Sequence, residues 1–278
     1  MPAVSVIIVN YNTFQLTCNC IESIYRMESN LEFEIIIVDN ASSECDPLAF
    51  QRTFPQIKLI VNPSNLGFAK GNNAGIAHAN GDFILLLNSD TVLLNNAISL
   101  CKEFLNEKKD IAVVSARLEY PDGRPQHNCQ RFPSIKYKLF ELLRLQKIIP
   151  NSGKILFGTF FSYDIVAYPD WVWGTFFLFK RETLYRLPVK KLADNFFMYV
   201  EDMQWCMDFH LLGYKVAFVP QARVLHLMGM SKGAKSELMM QNENQFMHQY
   251  YSWISRSLTK VLDSFLKLRW PAFTRRKN

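Results

Sequence analysis

The chain predicts an α/β fold, a mostly parallel, Rossmann-like sheet with helices on both faces and a helical extension at the C-terminus. Three observations lead there. Short apolar runs rich in Val, Ile and Leu recur between residues 4 and 116 with little polar alternation, as strands covered on both faces do. Amphipathic stretches long enough for crossover helices separate them. The first runs end in Asn, Asp or Ser, the polar tips from which an open α/β sheet builds its ligand crevice.

Val4–Val9 reads as a buried strand and Phe14–Tyr25 as the helix after it, with Thr13 placed to cap that helix. Phe33–Val38 is a second strand, Asp46–Phe54 a short helix, Ile57–Val61 a third strand, Phe68–Ala79 a helix and Phe83–Leu87 a fourth strand. A helix over Asn95–Asn106 and a strand over Ile111–Ala116 follow. From Leu118 to Tyr168 the alternation fades into a Pro- and aromatic-containing stretch with a turn cluster at residues 120–125, the kind of segment that shapes a pocket over a rigid scaffold. Regular structure resumes with a strand over Trp171–Lys180, a strand-like run at Phe196–Val200, a helix over Glu201–Leu212 and a strand over Lys215–Val219. Glu237–Leu268 reads as a long helix, continuous or broken.

With 278 residues, 49% hydrophobic and 20% charged, the chain is no disordered protein and predicts one large domain, or one domain with a substantial extension. Six cysteines without a CxxC pair signal neither a zinc ribbon nor a disulfide framework, and the expectation is a cytoplasmic protein with reduced thiols. No apolar run approaches the roughly 20 residues of a membrane span. The net charge of +6 is uneven: after Asp263 there is no acid, while Lys267, Arg269, Arg275, Arg276 and Lys277 surround Leu268, Trp270 and Phe273. Such a tail is either solvated or a peripheral foot on anionic membrane. No nucleic-acid motif accompanies the charge, so nucleic acid is not expected as a partner.

Four polar tips and an acidic pair carry the chemistry. Asn10-Tyr11-Asn12-Thr13 and Asp39–Ser43 offer amides, hydroxyls and one carboxylate, which also suit ordinary turns. Gly67 and Gly71, in Asn62–Asn73, permit close backbone approach at a helix start, where phosphate or ribose is received, although a plain helix cap has the same residues. Asn88-Ser89-Asp90 is the hard-oxygen setting that Mg²⁺ or Mn²⁺ shares with a diphosphate. Glu201-Asp202 either caps its helix or moves a proton, and the two roles are compatible. Trp171 and Trp173 beside Gly174 suit the wall of a sugar site, with core packing the competing role for Trp171.

Taken in order, residues 4–12, 37–42, 65–73, 88–90, Trp173-Gly174 and 196–202 resemble the family 2 glycosyltransferases, with the rhamnosyltransferase-like branch most similar. The resemblance covers roughly residues 3 to 230. It implies a GT-A fold: a domain over 1–232, divided into a nucleotide-sugar-binding half (1–117) and an acceptor half (118–232), then a helical basic extension over 233–278. It implies inverting transfer of rhamnose or another hexose from a nucleotide diphosphate sugar to a hydroxyl of a saccharide or lipid-linked glycan, in cell-surface polysaccharide biosynthesis with Mg²⁺ or Mn²⁺. By resemblance Asn10, Tyr11, Asp39, Asn65, Gly67, Asn72, Ser89 and Trp173 bind the donor, and Asp90 and His226 hold the metal. Asp202 is the base, with Glu201 its close rival. Asn88 stands where the motif has Asp, and Gln204 where the family often has another acid. The rival enzyme class, a nucleotidyltransferase, calls for a Gly-rich basic loop after the first strand, which residues 10–16 lack. An idle sugar-binding scaffold is the remaining alternative.

Overall fold

The computed structural model describes residues 2–227 and 235–269. Its first part alternates as predicted: β1 (Val4–Asn10), α1 (Phe14–Met27), β2 (Phe33–Asp39), α2 (Ala49–Thr53), β3 (Lys58–Val61), α3 (Gly67–Ile76) and β4 (Phe83–Leu87). Next come β5 (Thr91–Leu93), α4 (Ala97–Glu107), β6 (Ile111–Glu119), β7 (Cys129–Gln130), α5 (Ile135–Leu142) and α6 (Gly153–Leu156). The chain continues through β8 (Trp171–Val172), β9 (Phe176–Lys180), α7 (Arg181–Leu184), α8 (Glu201–Leu211) and β10 (Lys215–His226) to α9 (Lys235–Tyr250) and α10 (Trp253–Arg269).

Eight strands form one sheet in the order β3-β2-β1-β4-β9-β6-β10-β5. β9 and β5 oppose the other six, so the sheet is mostly parallel, as its unalternating apolar strands require. In β1, Val4, Val6 and Ile8 pack towards α1 and α4, whereas Ile7 faces the second core of α3, α8 and clustered aromatics. This period of two gives the sheet a buried layer on each face. β10 slips register between Val219 and Arg223, where Pro220 has no N–H for the ladder. The second half of β10 then pairs with β5, which begins three residues after β4 ends, and His226 comes opposite Thr91.

Three expectations need correction, and the choice left open over Glu237–Leu268 is decided. The strand over Trp171–Lys180 is two strands, β8 in a ribbon with β7 and β9 in the main sheet, separated by Trp173-Gly174-Thr175. Phe196–Val200 is an irregular loop and no strand; Tyr199 and Val200 sit at φ 69° and 76°, outside extended geometry. The helical stretch over Glu237–Leu268 takes its broken form, interrupted at Tyr251-Ser252, where Ser252 Oγ accepts the Ser255 N–H as the cap of α10. Thr13 precedes α1 without a side-chain capping bond, its hydroxyl being turned to Asn10 and Ser89. Lys232, which follows His226 and could counter phosphate charge or be simply solvated, and the tail from Trp270 onward lie outside the described residues, as do the side chains of Lys267, Leu268 and Arg269. Among the described residues no helix is long and apolar enough to cross a membrane.

Candidate active site

The strand order turns back at β1, with β2 on one side and β4 on the other, and the crevice beyond their C-terminal ends is where an open α/β sheet receives a ligand. A cleft of about 1320 Å³ opens there. Nine of the twelve residues singled out in the sequence line it: Tyr11, Asn65, Gly67, Ser89, Asp90, Trp173, Glu201, Asp202 and His226.

The other three, Asn10, Asp39 and Asn72, are buried behind the wall. Asn10 ends β1 opposite Asp39 of β2. Its Nδ2 donates to Asp39 Oδ2 (2.7 Å) and Ser42 Oγ (2.9 Å), while its Oδ1 accepts the hydroxyls of Thr13 and Thr17. Asp39 Oδ1 accepts the Ser42 N–H at 2.9 Å. Both side chains therefore shape the loops that carry Tyr11 and Asn40 to the cleft, and touch no solvent-filled space themselves. Asn72 Nδ2 donates within α3 to the Phe68 carbonyl.

Asn40, which the sequence reading passed over, is the hub of this wall. Its Nδ2 donates to the Gly67 carbonyl at 3.1 Å, and its Oδ1 accepts from Asn62 Nδ2 at 2.8 Å. Asn65 Oδ1 in turn accepts the Gly67 N–H. Gly67 has φ +79°, and a Cβ there would stand 2.2 Å from the Phe197 carbonyl oxygen, so only glycine fits.

Asn88-Ser89-Asp90 forms the turn between β4 and β5. Because β5 pairs with the end of β10, Asp90 meets His226: the Leu227 N–H donates to the Asp90 carbonyl, and His226 Nε2 lies 3.3 Å from Asp90 Oδ1. Gln126 Nε2 donates to the His226 carbonyl, so its Oε1, 2.7 Å from His226 Nδ1, accepts a proton held there. A neutral imidazole then turns the Nε2 lone pair towards the Asp90 carboxylate. Two electron-rich atoms facing each other across 3.3 Å call for a proton or a cation beside them. Among the described residues no cluster of three or more His, Cys, Asp or Glu could hold a metal alone. Asp90 and His226 thus fit a cation whose remaining ligands come from a diphosphate and water, the usual division for Mg²⁺. Asn88 is held by Thr175, its N–H donating to the Thr175 carbonyl and its Nδ2 to Thr175 Oγ1.

Glu201 and Asp202 open α8 behind the strained loop. Asp202 Oδ2 accepts the Gly174 N–H (3.0 Å), supplied by the gap between β8 and β9, and Oδ1 accepts the Met203 N–H (2.8 Å). Burial raises the Asp202 carboxyl above the ordinary Asp range. Glu201 is raised further, by burial first and by the Asp202 carboxylate second, and its Oε2 is buried without a hydrogen-bond partner. Two adjacent carboxyls tuned upward on a cleft wall can hold or accept a proton near neutral pH.

The opposite wall comes from residues the sequence reading left unassigned. Met239 and Met247 of α9, Thr259, Lys260 and Asp263 of α10, and Lys138 of α5 line it, with Lys138 ion-paired to Asp263. The methionines were the available signal, since flexible thioethers suit an adaptable binding surface. Trp171 does both things foreseen for it, lining the cleft and packing against the core while its Nε1 donates to the Arg131 carbonyl.

A mostly parallel α/β sheet with this crevice and a polar turn after β4 defines a GT-A glycosyltransferase fold, and solved structures agree. GalNAc-T7 with UDP, GalNAc and Mn²⁺ is similar at TM-score 0.64 and 14% identity, over 89% of this chain and 48% of that one. This chain thus spans about half the length of that protein. The mannosyltransferase PcManGT from Pyrobaculum calidifontis, in complex with GDP-Man and Mn²⁺, is similar at TM-score 0.57 and 16% identity, over 98% and 82% of the two chains. Residues 5–168 match glycosyl transferase family 2, and the chain belongs to that family. The O-antigen chain rhamnosyltransferase WbaN of Salmonella anatum is 24% identical over 258 residues, 92% of this chain and 75% of that one.

Proposed function

We propose that this family 2 glycosyltransferase transfers rhamnose or another hexose, with inversion, from a nucleotide diphosphate sugar to a hydroxyl of a saccharide or lipid-linked glycan. The observation that carries the reading is the sharing of one cleft by the Asp90–His226 pair and the Glu201–Asp202 pair. In this reading residues 1–117 receive the donor and residues 118–232 the acceptor, and α9 and α10 close the acceptor side. The product would enter cell-surface polysaccharide, made at the cytoplasmic face of the membrane, with the basic C-terminal tail in peripheral contact there.

Tyr11, Asn65, Gly67, Ser89 and Trp173 form the donor wall, with Asn10, Asp39 and Asn72 fixing its loops. Asp90 and His226 Nε2 hold Mg²⁺ or Mn²⁺, which when bound neutralises charge on the leaving diphosphate. Asp202 takes the proton from the acceptor hydroxyl as its oxygen attacks the anomeric carbon from the face opposite the nucleotide. The Gly174 N–H holds Oδ2 in place and the raised affinity for a proton suits the carboxylate to that transfer. Glu201, beside it and higher still, is protonated near neutral pH and leaves Asp202 as the ionised partner.

The test is a screen of the full chain with Mn²⁺ against uridine, guanosine and deoxythymidine diphosphate sugars, followed by thermal shift and by release of nucleotide. Stabilisation by one nucleotide class and transfer to a lipid-linked saccharide are expected. Binding of none of these donors would end the proposal.

A further inference from the structure

Helix α10 is amphipathic the wrong way round for its place in the fold. A helix packed on a globular protein normally buries its apolar stripe and shows its polar face to water. Here Thr259 is buried, and with Lys260 and Asp263 it lines the cleft. Ile254, Leu258, Val261 and Phe265, spaced by four, three and four residues and so in a single row, are 47–55% exposed. Trp253, at the start of the helix, is 69% exposed. Helix α5 packs against α10, and it and the turn after it add Leu139, Leu143 and Ile148 at 40%, 61% and 76% exposure. These residues are too many and too close together to be scattered surface apolars.

The charge around them selects the occupant. Between Arg131 and Leu156 six basic residues stand against the single acid Glu141, and from Trp253 to the end of the chain seven stand against Asp263 alone. The rest of the chain is net negative; within these segments Arg131, Lys138, Arg256 and Lys260 line the cleft, whereas Lys136, Arg144, Lys147 and Lys154 are exposed on α5 and the segment after it, the stretch that carries Leu139, Leu143 and Ile148. A second copy docking face to face would bring two basic surfaces together. An anionic bilayer meets both properties at once, apolar side chains entering the headgroup layer and Lys and Arg meeting lipid phosphates.

We propose that the exposed face of α10, continued by α5 and residues 143–148, is a folded docking surface for an anionic membrane. It lies flat on the leaflet with the cleft-lining side of α10 directed away from the lipid, so that the acceptor wall stands at the membrane edge. The contact deepens the proposed activity, since a lipid-linked acceptor would arrive from that side. It differs from an anchor made by the tail alone, because α10 and α5 are parts of the packed structure.

The experiment is flotation of the full chain with vesicles of phosphatidylethanolamine and phosphatidylglycerol, and with phosphatidylcholine vesicles as control. Neither sugar nor nucleotide is present, so a failed transfer assay and a failed flotation are separate results. Wild type and a chain lacking residues 270–278 are expected to float with the anionic vesicles. L258E/F265E is expected to lose roughly tenfold or more in vesicle affinity while keeping its melting temperature and nucleotide-induced thermal shift. Quenching of Trp253 by brominated lipid in the chain lacking residues 270–278, and so lacking Trp270, is lost in W253F and reports the same contact without disturbing the row. Flotation of L258E/F265E equal to wild type overturns the assignment. So does loss of flotation on removing residues 270–278 alone, or a dimer in solution that L258E/F265E dissociates.

Discussion

Asp202, as the proposed base, carries the heaviest chemical demand on a single side chain, and its surroundings make that role testable. Asp202→Asn keeps an oxygen for the Gly174 N–H, so the local structure should persist while the proton acceptor is lost. Transfer should fall by about 10² to 10⁴-fold, the usual contribution of a positioned base, with nucleotide affinity unchanged. The sign of the pH dependence follows from the raised carboxyl. A base must be ionised, and burial lifts Asp202 to about 6, so wild-type transfer is expected to fall as pH drops through 6 and not through the ordinary Asp range near 4. An initial-rate profile between pH 4.5 and 8 checks it, and a flat profile would move the base elsewhere. At the proposed metal pair, Gln126→Leu removes the acceptor that keeps the His226 proton on Nδ1. Activation by Mn²⁺ should then need about 10 to 100-fold more metal, the typical cost of losing such a partner. Asp90 and Asp202 could be picked out in the sequence because each ends or begins a recognisable run, and His226 through the family resemblance alone. Gln126 could not, since it stands 100 residues from the histidine it orients.

One element joins the donor wall to the base. The loop before α8 is tied at one end to α3, where the Phe68 N–H donates to the Phe197 carbonyl, and at the other to α9, where Asn242 Nδ2 donates to the Met198 and Tyr199 carbonyls at 2.8 and 3.2 Å. At the end of this tied stretch Tyr199 and Val200 hold left-handed backbone, costly for a β-branched residue and kept only when the surroundings over-determine it. Asn242→Ala removes one tie and should lower kcat while leaving the donor dissociation constant alone, because the loop relaxes and carries Glu201 and Asp202 with it. Gly67→Ala attacks the other tie with a Cβ that would sit 2.2 Å from the Phe197 oxygen. Its strained φ alone costs about 1 to 3 kcal/mol, so a lower melting temperature should accompany weaker nucleotide binding. The βα alternation of the first half was readable because its strands and helices keep their periods. The loop was misread as strand-like because Phe196–Val200 is apolar, and apolar content without alternation does not report φ. The three residues of β5 are likewise too few to show a period, although they are what brings Asp90 to His226.

At the scale of the whole molecule, α9 belongs to the packed core. Phe246 is fully buried, stacked on Phe132 and enclosed by Tyr250 and Tyr251, while Tyr250 donates to Asp208 of α8 at 2.6 Å. The sequence showed a helical region after residue 233 but not where it docks, because α9 carries few apolar residues and its deep anchor Phe246 stacks on Phe132, more than 100 positions away. The net charge could be read at once, whereas the packing of the basic segment α5 against α10 became visible only in the fold. Docking through one phenylalanine gives a sharp prediction. Phe246→Ala leaves a cavity among Phe132, Tyr250 and Tyr251, and such truncations cost about 3 to 5 kcal/mol when the site cannot collapse. The proposed donor wall is built from the ends of β1 and β2, the start of α3, the β4 turn and Trp173, none of them part of α9. Differential scanning fluorimetry should therefore show a lower melting temperature with an undiminished nucleotide-induced shift. Transfer to acceptor should fall more than donor hydrolysis, because Met239 and Met247 leave the acceptor wall with α9. Equal losses in both reactions would mean that α9 supports the whole cleft and that the division into donor and acceptor halves is wrong.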